Sequence, residues 1–317
     1  MRQFNAEELM ALVTEKGLVF DERVCEHVVA ALDIGSHVIL TGPPGTGKTS
    51  LAYLVAELGR QAVRCTGFQP VTATSDWSTD VTIGRYEQTD DGRIFQPGIF
   101  LAAISSGRWL VVDELNRSDF DRAFGQLFTV LAGQPVTLPF HQKGSELPLA
   151  LVPFHTDPPE GTDVLSIPHT WRMLATMNEV DKDLLHRLSY ALMRRFAFIE
   201  VTSPPDEAFV RLLDRPGGDV VTPLLAVRSV RDLGPALFLD AARYAERRGG
   251  DGRSASRIRY EAFCSFVLPQ LDGCEDHEAK HLFDALADAF DPEELHALRR
   301  VVAGVTADRA PHPAAAA

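Results

Sequence analysis

The stretch GPPGTGKTS, Gly42 to Ser50, follows directly on HVILT, an apolar run that reads as a buried strand. Gly42, four intervening residues, then Gly47, Lys48 and Thr49 is the spacing of a phosphate-binding loop, in which backbone N–H groups curl around an anion. Such a loop restricts the fold because it needs a strand before it and a helix after it. Here SLAYLVAELGR supplies the helix and turns its positive end toward the anion. Gly45 and Gly47 allow a backbone approach that a Cβ would block, Lys48 is placed to reach β- and γ-phosphates, and Thr49 offers a hydroxyl to Mg²⁺. The candidate nucleotide contacts are therefore Gly42, Pro43, Pro44, Gly45, Thr46, Gly47, Lys48, Thr49 and Ser50. An ordinary glycine-rich turn would need neither the strand nor the amphipathic helix.

At 317 residues and 45% hydrophobic content the chain can bury a sizeable core. No apolar run approaches the ~20 residues of a membrane span, and MRQFNAEELMALVTEKG lacks a secretory signal's apolar stretch, so the expected location is the cytoplasm. Cys25, Cys65, Cys264 and Cys274 lie far apart without a Cys-x-x-Cys pair and read as reduced packing residues. A net charge of −13 disfavours a protein that coats nucleic-acid phosphates. The densest basic stretch, Arg247 to Arg259, reads as a solvated loop entering a helix.

Two helices, AEELMALVTEKG and DERVCEHVVAALDIG, are expected before the first strand. After the loop and its helix come a short strand AVRCTG, a polar stretch TATSDWSTD, and TIGRYEQTDDGRIF, in which Asp90-Asp91-Gly92 suggests a hairpin. Pro97 is expected to open a helix, WLVV to form a strand, and Phe120 to Ala132 to be helical. PVTLPF and ELPLALV, joined by HQKGS, suggest a second hairpin, followed by a proline-rich loop to Ile167. WRMLATMN and FAFIEV complete the strands, and Pro204-Pro205 marks a boundary. The reading is an α/β domain over 1–203 with a central parallel sheet and two hairpin inserts, a helical lid over 204–310 and a disordered tail over 311–317.

Asp113 and Glu114 end their strand as a carboxylate for the Mg²⁺ shell and one to polarise an attacking water, although an acidic helix N-terminus would look the same in isolation. Asn178 ends RMLAT, where a neutral amide can orient that water. Arg194 and Arg195 precede FAFIEV at the end of helical LLHRLSYALM, and a guanidinium suits a transition-state phosphoryl charge; the helix dipole alone would also favour them there.

With these residues in view, GPPGTGKT, VVDELNRSD and ATMN followed by LSYALMRRF resemble the AAA+ ATPases, and within them the branch containing the MoxR and McrB proteins. DELNRS is similar to the branch's DE-[IL]-N-R signature, and DWSTDVTIGRYE to its segment before the helix-two insert. Met177-Asn178-Glu179-Val180-Asp181 is similar to the MNxxD pattern of McrB-like members. The resemblance covers Asp33 to Val201 strongly and the helical remainder weakly. It implies Lys48 and Thr49 as the Walker A pair, Asp113 and Glu114 as the Walker B pair and Asn178 as sensor 1. It makes Arg194 and Arg195 arginine-finger candidates acting on a neighbour's nucleotide, and Arg257, or else Arg253, sensor 2 at the start of a lid helix.

It further implies a homo-oligomeric ring, expected to be hexameric, that uses ATP and Mg²⁺ to remodel or assemble a protein partner, with nucleic acid engaged only indirectly. McrB proteins read DNA through a separate N-terminal domain, and the segment ahead of the first strand here is shorter than the ~50 residues of a small domain. The alternatives are a GTP-using motor of a nucleic-acid defence complex, a DNA-loading motor and a non-hydrolytic nucleotide switch. One competing motif exists: His277-Glu278-Ala279-Lys280-His281 is formally the zinc-protease H-E-x-x-H, with Glu293 or Glu294 as a third ligand. Its neighbours Glu275, Asp276 and Lys280 instead describe a solvated helix face.

Overall fold

The computed structural model describes residues 3–90, 92–125, 127–178, 194–271 and 273–304. They fall into two compact units: those within Met1–Gly42 and Lys48–Thr202 form one, those within Pro43–Gly47 and Ser203–Ala317 the other.

The first unit begins with α1 (Ala6–Glu15) and α2 (Glu22–Asp33), whose first turns are closed by the Asn5 and Asp21 side chains accepting from the Glu7 and Arg23 amides. β1 (His37–Thr41) leads through the loop to α3 (Lys48–Gln61). Then come β2 (Phe68–Thr72), α4 (Thr79–Thr82), the antiparallel pair β3 (Gly84–Thr89) and β4 (Gly92–Pro97), α5 (Ile99–Ser105) and β5 (Trp109–Asp113). α6 (Phe120–Phe124) and α7 (Leu127–Leu131) precede β6 (Val136–His141), β7 (Pro148–Pro153) and β8 (Asp163–Ile167). β9 (Met173–Thr176) and β10 (Phe196–Glu200) complete the unit.

Five strands build a central sheet in the order β10-β1-β9-β5-β2, and every pairing is parallel. Parallel strands are buried on both faces, which is why β1 and β5 read as continuous apolar runs. Val38, Ile39 and Leu40 of β1 and Leu110, Val111 and Val112 of β5 are all buried, under α2, α3 and α5. Gly59 lets α3 lie close to the sheet, since a Cβ there would stand 2.7 Å from the Trp109 ring.

Four expectations change. The strand expected at Ala62–Gly67 lies instead at Phe68–Thr72, because the segment after α3 turns through Val63 at φ 55. Pro70 does not exclude β2 from the sheet, since β2 is an edge strand. Pro97 closes β4 rather than opening a helix; α5 starts at Ile99 with Gly98 as its N-cap. The helix expected over Phe120 to Ala132 is two short ones, α6 ending at Phe124 and α7 beginning at Leu127. The second insert is more than a hairpin. β6 and β7 are antiparallel as expected, but β8, inside the proline-rich stretch read as loop, adds a third strand parallel to β7. Pro158, Pro159 and Gly161 mask it by dominating the local composition.

The second unit is helical: α8 (Asp206–Leu212), α9 (Gly218–Val221), α10 (Pro235–Gly249), α11 (Ala255–Ala262), α12 (Asp276–Leu286) and α13 (Pro292–Val302). Phe209, Leu224, Phe238, Phe263, Leu282 and Leu298 are buried in its core. Among the described residues no helix is long and apolar enough to cross a membrane.

Candidate functional site

The sheet order creates the site. β9 lies between β1 and β5, so the loop that leaves β1 and the carboxylates that end β5 flank the end of β9. Register then decides which side chains meet. Val112 pairs with Ala175, which puts the next residues, Asp113 and Thr176, side by side at the strands' carboxyl ends.

The chain enters the loop at Gly42, whose φ of +140° and whose missing Cβ, which would stand 2.3 Å from the Val201 carbonyl oxygen, leave no room for a side chain. Thr46 donates its hydroxyl to the Pro43 carbonyl at 3.0 Å, and the buried Lys48 ammonium donates to the Gly42 carbonyl at 2.9 Å. Thr49, in the first turn of α3, donates its hydroxyl to Asp113 Oδ1 at 2.7 Å. The hydroxyl of Thr176 donates to the same oxygen at 2.5 Å and accepts the Glu114 N–H at 3.0 Å. Asn178 Nδ2 lies 2.9 Å from both Glu114 Oε1 and Oε2. Glu114 itself adopts the left-handed backbone, φ 54 and ψ 46.

Asp113, Glu114, Thr49 and Asn178 thus come together, with Asn178 contacting the glutamate directly. A hydroxyl and a carboxylate oxygen 2.7 Å apart form an all-oxygen set that fits a hard cation such as Mg²⁺, which takes one or two protein ligands and completes its shell with phosphate and water.

The arginines do not join this cluster. Arg195 directly precedes β10, and Phe196 is level with His37, while Glu200 is level with Thr41 where the loop begins. Four strand steps of about 3.3 Å, roughly 13 Å, separate those levels. Arg195 Nη2 donates to the Ala132 carbonyl at 2.7 Å. Arg194 is exposed and has no hydrogen bond or ion pair among the described residues. Most of the helix expected ahead of them, and Glu179, Val180 and Asp181, lie outside the described residues.

Arg257 and Arg253 are held within the second unit by Glu261, at 3.3 and 2.5 Å from Oε1, while Arg248 and Tyr244 donate to Oε2 at 3.2 and 2.9 Å. Burial works to raise the Glu261 pKa, but the Arg248 and Tyr244 hydrogen bonds outweigh it and bring it down to about 2. The helix start that meets the loop tip in this unit is that of α10, not α11. A Cβ on its N-cap, Gly234, would stand 2.1 Å from the Gly45 carbonyl carbon and oxygen. The first turn of α10, Pro235-Ala236-Leu237, carries no arginine.

The H-E-x-x-H motif resolves into helix capping. Glu278 accepts the Glu275 N–H at 2.8 Å in a capping box at the start of α12, and His277 pairs with Glu275 at 3.2 Å. Glu294 is buried and accepts from Ser256 at 3.3 Å. Among the described residues no three His, Cys, Asp or Glu gather to hold a metal.

Thr176, Gly234 and Glu261 were not singled out in the sequence. Thr176 sits in RMLAT as any β-branched strand residue would, and only the β5–β9 register reveals its place.

Comparison with known proteins agrees with this geometry. The model of the AAA domain, dynein-related subfamily, matches residues 37–196. The chain is 27% identical over 196 residues to the type IV methyl-directed restriction enzyme EcoKMcrB subunit of Escherichia coli K12, across 58% of this chain and 39% of that protein. It is 35% identical over 83 residues to midasin of Dictyostelium discoideum, across 25% of this chain and 1% of that protein. The chain therefore spans well under half the length of either relative. The NtrX structure from Brucella abortus in complex with ADP aligns with a TM-score of 0.42 at 15% identity, covering 93% of this chain and 72% of that one. With the family model matching half its length over the loop, both carboxylates and Asn178, the chain belongs to the dynein-related AAA subfamily, in the MoxR- and McrB-like branch, and is a P-loop NTPase.

Proposed function

We propose that this protein is a ring-forming, Mg²⁺-dependent ATPase, most simply a hexamer, that uses hydrolysis to remodel or assemble a protein partner. The observation that carries the hydrolytic part is the chain of contacts Thr49–Asp113–Thr176–Glu114–Asn178 at the carboxyl ends of β1, β5 and β9. The loop amides and Lys48 bind the β- and γ-phosphates, and Lys48 exchanges its Gly42 carbonyl for phosphate oxygens. Thr49 and Asp113 hold Mg²⁺, which when bound neutralises charge on the phosphates. Glu114 takes the proton of the attacking water, and Asn178, a neutral donor, orients the carboxylate without cancelling its charge. A non-hydrolytic switch would have no use for that arrangement.

The arginines support the ring. Arg194 and Arg195 sit beyond the amino end of β10, farther from their own loop than an arginine side chain reaches, so a finger from this segment acts on a neighbour's nucleotide. Because Arg195 is tied to Ala132, Arg194 is the finger. A net charge of −13 favours a protein partner over bare nucleic acid. The printed name of the restriction-enzyme relative supports a second reading, a GTP-using motor in a nucleic-acid defence complex.

The test mixes inactive Lys48→Ala subunits with inactive Arg194→Ala subunits. An interface that joins an intact loop to an intact finger should recover part of the ATPase activity, and the same mixture with Arg195→Ala identifies the finger. Turnover per subunit that stays constant on dilution, with no recovery in either mixture, would overturn the ring. Running ATP and GTP in parallel decides the base, and capture on Glu114→Gln with bound nucleotide identifies the partner.

A further inference from the structure

We propose that Thr176 is a positioning residue of the hydrolytic site, whose one hydroxyl sets the orientation of Asp113 and the backbone of Glu114 together. The proposal rests on the hydrolytic reading above and gives a role to a residue that the sequence shows only as part of the ATMN run.

Thr176 ends β9 with 2% of its surface exposed. Its oxygen lies 3.0 Å from the Glu114 nitrogen and 2.5 Å from Asp113 Oδ1. A backbone N–H only donates and a carboxylate only accepts, so the direction of both bonds is settled: Glu114 N–H to Thr176 oxygen, Thr176 hydrogen to Asp113. The Thr49 hydroxyl donates to the same Oδ1, which turns its own lone pairs away from Asp113 and leaves them for a cation.

The second half concerns Glu114. A residue with a side chain disfavours φ 54 and ψ 46, because its Cβ crowds the backbone there. Two bonds hold the conformation: the Glu114 N–H on Thr176, and the Glu114 carbonyl accepting the Arg117 N–H at 2.9 Å. This turn redirects the chain as it leaves β5 and carries the Glu114 carboxylate to Asn178. Losing the hydroxyl therefore removes, in one step, one of the two bonds on Asp113 Oδ1 and one of the two that hold the Glu114 backbone. Both consequences lie on the chemical step and on cation binding. Neither touches Lys48 or the backbone of the loop that binds phosphate.

Thr176→Val keeps the branched shape and deletes the hydroxyl, whereas Thr176→Ser keeps the hydroxyl and deletes the methyl. Steady-state hydrolysis of ATP and of GTP is measured on the full chain. So is binding of a fluorescent nucleotide titrated with Mg²⁺, together with the urea midpoint of each variant. Thr176→Val should lose about tenfold or more in kcat while KM changes by less than about threefold, and should need severalfold more Mg²⁺ for half-maximal binding. Thr176→Ser should stay within about threefold of wild type in all of these. Wild-type kcat and Mg²⁺ dependence in Thr176→Val would overturn the proposal, as would Thr176→Ser failing as badly as Val. If Val does not fold, Thr176→Ala against Thr176→Ser repeats the comparison on a smaller side chain, and equal values overturn it. Wild-type protein that binds nucleotide without hydrolysing it sinks the hydrolytic reading alone, and the Mg²⁺ titration still decides Thr176. Wild-type protein that binds no nucleotide overturns both.

Discussion

Both ends of the central sheet carry polar groups, and they handle them differently. At the carboxyl end side chains bond to one another, Thr49 and Thr176 on Asp113 and Asn178 on Glu114, beside two backbone contacts, Lys48 on the Gly42 carbonyl and the Glu114 N–H on Thr176. At the amino end they are backbone atoms. Arg172 donates to the carbonyls of His169, Trp171 and Leu32, and His37 Nδ1 accepts the Met173 N–H at 3.0 Å. Trp109 and Trp171 each donate an indole N–H to a carbonyl of the neighbouring segment, Thr170 and Arg108. Arg172, spread over three carbonyls, and His37, on a strand amide, are part of the scaffold and cannot be redirected without moving the chain. Groups tied to one another can exchange partners when a ligand arrives. Density of polar residues does not mark this site; the cluster of side chains bonded to one another does.

Substitutions at each end sharpen that distinction. Lys48→Ala should abolish measurable nucleotide binding while leaving the urea midpoint nearly unchanged, since it removes the loop cation that faces the phosphates. Tight binding to that variant would show that the loop amides alone suffice. Glu114→Gln should retain binding and lose roughly 10²-fold or more in kcat, and wild-type turnover would remove Glu114 from the chemistry. At the amino end Arg172→Ala should do the reverse. It leaves buried carbonyls unpaired and a cavity, costing about 2–4 kcal/mol in chemical denaturation, with kcat per folded site intact.

His37 gives the comparison a pH signature. Its burial, reinforced by the charges of Arg172 and Arg195, holds its pKa down to about 3. The unfolded chain therefore binds a proton that the folded chain refuses. Its contribution to stability is complete above about pH 6.5 and is lost as pH falls toward the folded value, at up to about 1.4 kcal/mol per pH unit. His37→Gln should flatten that slope in denaturation measured from pH 7 to pH 5. An unchanged slope would assign the acid sensitivity elsewhere. The smallest effect belongs to His277→Ala, which alters an exposed side chain at a helix start and should leave hydrolysis and zinc content as in wild type. Zinc-dependent peptidase activity lost in that variant would restore the competing motif.

Local signals in the sequence were enough for the features that carry the site. The strand-loop-helix around Lys48, the acidic end of β5, the amide just past β9 and the β3–β4 turn all rest on spacing or on alternation within a few residues. Segments whose composition speaks against their state were not legible. β2 carries Pro70 because an edge strand tolerates it, and β8 hides among Pro158, Pro159 and Gly161 because it pairs on one side only. Arg257 reads as a free cation at a helix start, yet Glu261, four residues on, holds it together with Arg253.

What the amino-acid sequence determined by itself is the chemistry available: a phosphate loop, two carboxylates, an amide and a pair of arginines. The tertiary structure decided which of them work together. Strand order put β9 between β1 and β5, the β5–β9 register set Thr176 against Asp113, and the parallel pairing of β10 with β1 sent the arginines to the far end of the sheet. Motif spacing records distance along the chain, whereas hydrogen bonds between strands set distance in space, and residues more than sixty positions apart become neighbours only through the second.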